Sequence, residues 1–391
     1  MKVLLTTPYP LERDLGAAKV TLEFHDELER RGVFSRVMGP ADLVRGPLLS
    51  GHSGRIRFQQ ALKAFLQSEA ANYDVVEYDH GYLPFPRTDF PSTSLFVARS
   101  VLLTQHLNDL NLLNDLNLHI SKSLRFAVSG FLKKPWKAYT LRALLRNADI
   151  TVKEADIVNV PNWQDHRALV DRGVSLEKIV VLPYGMSTAR MQLFEQMQDK
   201  LDPSPTIVFV GTFDFRKGAV HFNQLMKAIV ERWPSAQLRL LGTRGLFGTP
   251  GQILEFFHPA LRPNVEVIMK YDPTDLPRLL SGAWLGIFPS YYEGFPFGVL
   301  EMLSAGIPVI AFDAPGLSMV LEERFLVGPG DEKAAIQKMF HLLENPEILI
   351  TERQWARNHA RQFTWQKIAQ QTIEIYDKAI HEKERSRVTA I

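Results

Sequence analysis

The chain has 391 residues, 46% of them apolar and 23% charged, with a formal net charge of +2 and no cysteine. This length suits two α/β domains of about 180 residues each. The near-zero charge provides no field for nucleic acid, and the lack of cysteine excludes disulfides, thiolate nucleophiles and Cys-ligated metal centres.

Lys2–Thr7 reads as a buried strand ended by Pro8 and Pro10, too short an apolar run for a signal peptide. No later run approaches about 18 uninterrupted apolar residues, so the expectation is a cytoplasmic protein, soluble or at most membrane-associated. A helix follows from Ala17 to Arg31, with Gly32 as its C-cap. Asp74–Tyr78, Ser94–Ala98, Ile150–Val152, Ile157–Val160 and Ile179–Leu182 read as further strands. Such alternation predicts parallel sheets covered by helices.

Two stretches inside this half stand out. Asn108–His119, NDLNLLNDLNLH, is a local echo too short to define a repeat architecture. Ser121–Arg146 mixes Lys122, Arg125, Lys133, Lys134, Lys137, Arg142 and Arg146 with Leu124, Phe126, Phe131, Trp136 and Tyr139, and Pro135 breaks any single long helix. This composition suits either ordinary sheet-covering helices, with Leu141, Leu144 and Leu145 turned to the core, or peripheral contact with an anionic membrane.

A break near residues 184–205 precedes a second series: Ile207–Val210, Leu238–Leu241, Val265–Met269, Trp284–Phe288 and Pro308–Phe312. From Glu332 the pattern is helical. Phe363-Thr364-Trp365 opens the last helix, whose charged end from Lys383 is expected to fray. The expected organisation is a Rossmann-like domain over 1–190, a second over 203–365, and a helix over 366–391 packing back on the first.

The stretch that carries chemistry is FPSYYEGFPFGVLEMLSAGIPVI, Phe288–Ile310. A strand runs into a loop bearing Glu293, and a Gly/Pro-rich turn then opens a helix carrying Glu301. The amides of Phe297, Gly298 and Val299 are expected to be free at the helix start, where the dipole favours an anion. Gly298 lets a phosphate approach the backbone. A carboxylate on each side of such a site suits a sugar nucleotide, with Glu293 toward the sugar hydroxyls and Glu301 toward the ribose diol. The second element is VGTFDFRKG, Val210–Gly218, where Gly211 permits a tight turn and Arg216 and Lys217 place two cations beside it. Cations placed in advance stabilise a departing pyrophosphate. No D-x-D pair, metal-spaced His/Glu cluster, P-loop or G-x-S-x-G elbow occurs in the chain. The expected mechanism is therefore electrostatic, with no metal site and no cofactor besides the donor. The base pocket is expected near Thr243-Arg244 and Lys270-Tyr271-Asp272, with UDP, GDP and ADP all open.

With these residues on the page, the chain resembles glycosyltransferase family 4, the large retaining GT-B family. Glu293 and Glu301 match its E-x7-E signature, and Arg216 with Lys217 resembles its pyrophosphate clamp. Thr212 stands where the family more often has arginine. Ala155–Gly185 is similar to its interdomain approach. The resemblance implies a GT-B fold of two Rossmann-like domains facing across a cleft, with the acceptor on the first and the nucleotide sugar on the second. It also implies catalytic roles for Glu293, Arg216 and Lys217, and donor binding by Gly211, Thr212, Thr243, Tyr271, Phe297, Gly298, Val299, Glu301 and Gly16. The family's first-loop Gly-Gly pair is here Gly16-Ala17. Its histidine after the strand matching FVARS is replaced by Val101, with His106 the nearest histidine. His80 and Arg99, at strand ends, are weaker candidates for the cleft. A glycan, a lipid-linked molecule or a small hydroxyl compound would be the acceptor. A GT-B epimerase or phosphorylase and a non-catalytic sugar-nucleotide-binding protein stay open as alternatives.

Overall fold

The computed structural model describes residues 1–12, 16–46, 51–108, 134–198 and 200–389. Most of the Asn108–His119 echo and of the basic stretch up to Lys133 lies outside them. The chain divides into two compact units, Met1–Gly185 with Trp365–Ile391, and Met186–Thr364.

The first unit holds a six-stranded parallel sheet in the order β2-β1-β3-β4-β5-β6, with β1 Lys2–Thr6, β2 Phe34–Met38, β3 Val75–Asp79, β4 Leu95–Arg99, β5 Ile157–Val160 and β6 Ile179–Val181. β1, β3, β4 and β5 are apolar runs covered on both faces, which is why they read as strands without alternation. β2, FSRVM, alternates at the sheet edge and was not foreseen. Ile150–Val152 is not the expected strand. These β-branched residues sit in the helix Lys134–Glu154, where packing of the whole helix overrides local propensity.

The C-terminal helix Trp365–Thr389 belongs to this unit. Trp365 is buried against Phe24 and Tyr184, with ring centroids 5.8 and 5.9 Å apart, and its indole N–H donates to Glu23 at 2.7 Å. The helix runs to Thr389, and Lys383 Nζ donates to Asp156 at 2.7 Å and to the Ser94 carbonyl at 2.8 Å.

Under this helix lies a buried ion pair. Arg99 Nη2 donates to Glu77 Oε2 at 2.8 Å, the Tyr376 hydroxyl donates to the same oxygen at 2.5 Å, and the guanidinium lies 4.4 Å from the Phe24 ring centroid. Arg99 therefore ties β3 and β4 to the terminal helix and serves the core, a correction to its standing as a cleft candidate. Burial pushes the Glu77 carboxyl up, and Arg99 opposes that shift. Replacing Arg99 by methionine leaves a carboxylate without its cation and should cost about 3–5 kcal/mol. Urea unfolding should show most of this loss recovered by adding Glu77→Gln. The deficit should also shrink as pH falls, because protonating Glu77 removes the buried charge.

The second unit holds another six-stranded parallel sheet, in the order β12-β11-β10-β7-β8-β9. Its strands are β7 Thr206–Val210, β8 Gln237–Leu241, β9 Val265–Ile268, β10 Leu285–Phe288, β11 Val309–Phe312 and β12 Leu326–Val327. Counted from its own first strand this is the 3-2-1-4-5-6 dinucleotide-fold order, reversed in direction of reading. The α/β, Rossmann-like expectation holds for both units.

Candidate active site

In open parallel sheets a ligand lies beyond the carboxyl ends of the strands, where the strand order reverses. In the second unit that point falls between β7 and β10, ending at Val210 and Phe288. Each strand runs into one of the two loops singled out in the sequence.

Asp214 shapes the β7 loop. Its carboxylate accepts the Thr212 hydroxyl at 2.7 Å and the Lys217 amide at 2.9 Å, while its carbonyl accepts the Ala219 amide at 3.1 Å. Two glycines then bring the segments together. A Cβ on Gly218, at φ +75°, would lie 2.0 Å from the Pro289 carbonyl oxygen, and one on Gly298 would lie 2.2 Å from that of Val210. The β7 loop thus touches the β10 loop, and the start of the helix Phe297–Ser304 sits on the end of β7.

These contacts converge on Glu293, which is 5% exposed. Its Oε1 receives Lys217 Nζ at 2.6 Å, Arg216 Nη1 at 3.3 Å and the Ser290 hydroxyl at 2.5 Å. Arg216 Nη1 also donates to the Tyr292 carbonyl at 2.7 Å, and Lys217 Nζ lies 4.8 Å from the Phe288 ring centroid. Burial alone would push the Glu293 carboxyl up. Lys217 and Arg216 outweigh it and hold the group below the ordinary carboxylate range. Burial pulls the Lys217 ammonium down, with Glu293 opposing. The result is a largely dehydrated cation pair beside a helix start, where electrostatic contacts are strongest.

The helix start itself corrects one expectation. The Phe297 amide donates to the Phe295 carbonyl at 3.0 Å and that of Val299 to Pro296 at 2.9 Å, so of the three only Gly298 has no backbone acceptor among the described residues. Pro296 at the N-cap turns the chain too tightly for all three to stay open.

Glu301, further along the same helix, is buried and paired with Arg190. Tyr271 packs on Gly242, where a Cβ would meet its ring at 3.3 Å. Its phenol is pushed up by burial and then by the charge of Glu301, with Arg190 opposing, so the three groups share one neighbourhood. Thr243 is fully buried and its hydroxyl has no partner. Gly211 sits at φ +153° beside Phe209 and Lys217. Gly16 belongs to the first unit, where it opens the helix Gly16–Arg30.

In the first unit the order reverses between β1 and β3, and a second polar constellation sits there. After β3, the Gly81 amide donates to Asp79 Oδ1 at 3.0 Å. His80 Nε2 accepts the Thr104 amide at 3.0 Å, which assigns the ring hydrogen to Nδ1. That Nδ1, 3.6 Å from Asp79 Oδ1, is buried with no hydrogen-bond partner. The Arg55 guanidinium lies 5.3 Å from the Tyr82 ring centroid, and the Asp79 charge pushes up the Tyr9 phenol. His106 Nε2 pairs at 2.9 Å with Asp165, whose carboxyl is pushed up by burial. Sequence reasoning had singled out His80 and His106. It missed Tyr9, Arg55, Asp79 and Tyr82, although strand ends at a switch point are a usable signal.

Among the described residues, no group of three or more His, Asp or Glu side chains could hold a metal ion, and no helix is long and apolar enough to cross a membrane. Of the basic stretch, Tyr139, Arg142 and Arg146 are exposed at positions i, i+3 and i+7 of one helix.

Residues 204–345 match the family described as glycosyl transferases group 1. The chain is 28% identical to the MMP alpha-(1->4)-mannosyltransferase of Mycolicibacterium hassiacum over 58% of its own length, and the match spans 54% of that relative. Among solved structures, sucrose-phosphate synthase from Thermosynechococcus elongatus superposes with a TM-score of 0.69 at 19% identity, covering 97% of this chain and 99% of that one. Anabaena HepE, solved in complex with UDP-glucose, gives a TM-score of 0.65 at 16% identity, covering 97% and 100%. At such identities the likeness shows the fold, which is GT-B.

Proposed function

We propose that this chain is a glycosyltransferase that moves a sugar, with retention of configuration and without a metal ion, from a nucleoside-diphosphate sugar to a hydroxyl acceptor. The observation that carries this reading is the Lys217–Arg216–Glu293 cluster, built where the order of the second sheet reverses and set beside the Gly298 helix start. A donor diphosphate would lie against Lys217, Arg216 and the Gly298 amide. As the bond from the sugar's anomeric carbon to the diphosphate oxygen breaks, negative charge grows on that oxygen and the two cations stabilise it. The acceptor oxygen bonds to the anomeric carbon on the same face, and its proton passes to the departing diphosphate. Glu293 aligns the cations and offers its carboxylate to the sugar hydroxyls. The unpartnered donor on His80, with Asp79, Tyr9, Tyr82 and Arg55, is suited to a hydroxyl-bearing acceptor on the first unit.

The UDP-glucose complex of HepE and the mannosyltransferase relative motivate hexose donors. A thermal-shift panel of UDP-, GDP- and ADP-sugars, with and without EDTA, tests the reading on wild type and Glu301→Ala. A donor at 100-fold its Kd stabilises the folded state by about 2.7 kcal/mol. The expected result is a shift with one nucleotide class, unmoved by EDTA and lost in Glu301→Ala. No shift with any donor would sink the proposal. A shift without product in the presence of varied acceptors would favour a binding protein, and conversion of the donor alone would favour an epimerase.

A further inference from the structure

Glu301 does not stand alone in its helix. Ser304, one turn on, lies with its hydroxyl 3.8 Å from the Met191 sulfur, so the short helix Thr188–Glu195 is docked along Phe297–Ser304. That docking brings Arg190, whose side chain is 12% exposed, onto the carboxylate of Glu301, whose side chain is 8% exposed. Arg190 Nη2 is bonded to Glu301 Oε1, while Arg190 Nε is buried with no partner. Tyr271 closes the neighbourhood against Gly242.

We propose that Arg190 is the positioning residue of a ribose subsite, fixing the Glu301 carboxylate so that it accepts both vicinal hydroxyls of the donor's ribose. This rests on the donor reading above. The argument is one of hydrogen-bond inventory. An ionised carboxylate accepts through two oxygens, each with two lone pairs, so one carboxylate can accept from an arginine and from a diol at the same time. A protonated carboxyl would give up part of that capacity and carry a donor of its own. Glu301 is buried, and burial pushes its proton affinity up; Arg190 opposes that first and Lys217 second. Removing Arg190 would leave a buried carboxylate that takes up a proton instead of staying charged. The free Arg190 Nε–H adds a donor that a nucleotide oxygen can satisfy. Arg190 touches the carboxylate and not the reacting atoms, so its effect should appear in nucleotide affinity and in the ribose preference.

The test is calorimetric titration with UDP, GDP and ADP and their 2′-deoxy counterparts, on wild type, Arg190→Met, Arg190→Lys and Glu301→Gln. One hydrogen bond to a charged group corresponds to about 10- to 100-fold in affinity. Wild type should bind its preferred ribonucleotide tighter than the deoxy form by that factor. Arg190→Met should weaken the ribonucleotide more than the 2′-deoxy form, which has only its 3′-hydroxyl to lose there, and so bring the preference close to parity, as Glu301→Gln should, with Arg190→Lys restoring part of the preference. If Arg190→Met does not fold, Arg190→Gln serves the same comparison. Wild-type discrimination surviving in Arg190→Met, or equal weakening of ribo- and deoxynucleotide, overturns the proposal while leaving the donor site intact. If wild type binds none of the diphosphates, the donor reading itself fails and takes this assignment with it.

Discussion

Lys217→Met is expected to lower kcat by about 10²- to 10³-fold, the loss seen when one preplaced donor to a developing negative charge is removed. The reason lies in the surroundings of the ammonium. It is held 2.6 Å from Glu293 and 4.8 Å from the Phe288 ring centroid, with its side chain 12% exposed. A charge in that setting is worth more than on a wet surface, because burial weakens solvent screening and the cation is already in place as the leaving group departs. Arg216, 27% exposed at the side chain, should cost less when replaced. The pH dependence has a definite sign. Burial lowers the Lys217 pKa from 10.5, so the free enzyme loses this charge as pH rises through a value below that of an ordinary lysine. The profile of kcat/KM should show an alkaline limb there, and Lys217→Arg should move the limb beyond the accessible range, since arginine does not deprotonate. The measurement is nucleoside diphosphate released per second at saturating donor. A Lys217→Met enzyme with wild-type kcat would remove the cation from the mechanism.

Arg216, Lys217 and Glu293 stood out in the sequence because each lies in a continuous loop next to an unmistakable strand, and Glu301 because it lies on the helix that follows the second loop. Val210 and Phe288 end apolar runs, and the residues that follow have nowhere to go but the strand ends. Arg190 was not readable, because it lies 111 residues from its partner Glu301 and reaches it only through helix docking. Asp214 has no signal of its own in the sequence, because its three partners, the Thr212 hydroxyl and the Lys217 and Ala219 amides, meet it only in the folded turn. The same contrast holds for the fold. Buried parallel strands show as apolar runs, whereas β2 alternates at an edge and Ile150–Val152 carries strand-like residues inside a helix. The terminal helix shows both sides: its start at Trp365 was legible, but the anchoring of Lys383 to Asp156 depends on a contact 227 residues away.

Gly218→Ala should be the most destabilising small substitution near the site, costing about 2–5 kcal/mol from two separable terms. The first is conformational. At φ +75° a side chain meets its own backbone, and that term alone is worth about 1–2 kcal/mol. The second is steric. The new Cβ would lie 2.0 Å from the Pro289 carbonyl oxygen and 2.8 Å from its carbonyl carbon, so the backbone of one loop must move. No flexible side chain can absorb the overlap, which adds about 1–3 kcal/mol. Gly330→Ala in the same unit separates the terms. Gly330 sits at φ +79°, but its Cβ would meet only the Tyr291 hydroxyl at 3.5 Å, an ordinary contact. It should therefore lose the conformational term alone. Thermal unfolding of the two variants beside wild type gives the comparison. The loop that Gly218→Ala displaces carries Ser290 and leads to Glu293, and the residue before it is Lys217. Donor affinity should consequently fall in Gly218→Ala and hold in Gly330→Ala. Equal losses of stability in the two would mean that the close approach of the β7 and β10 loops does not hold the clamp together, and the placement of Lys217 would need another cause.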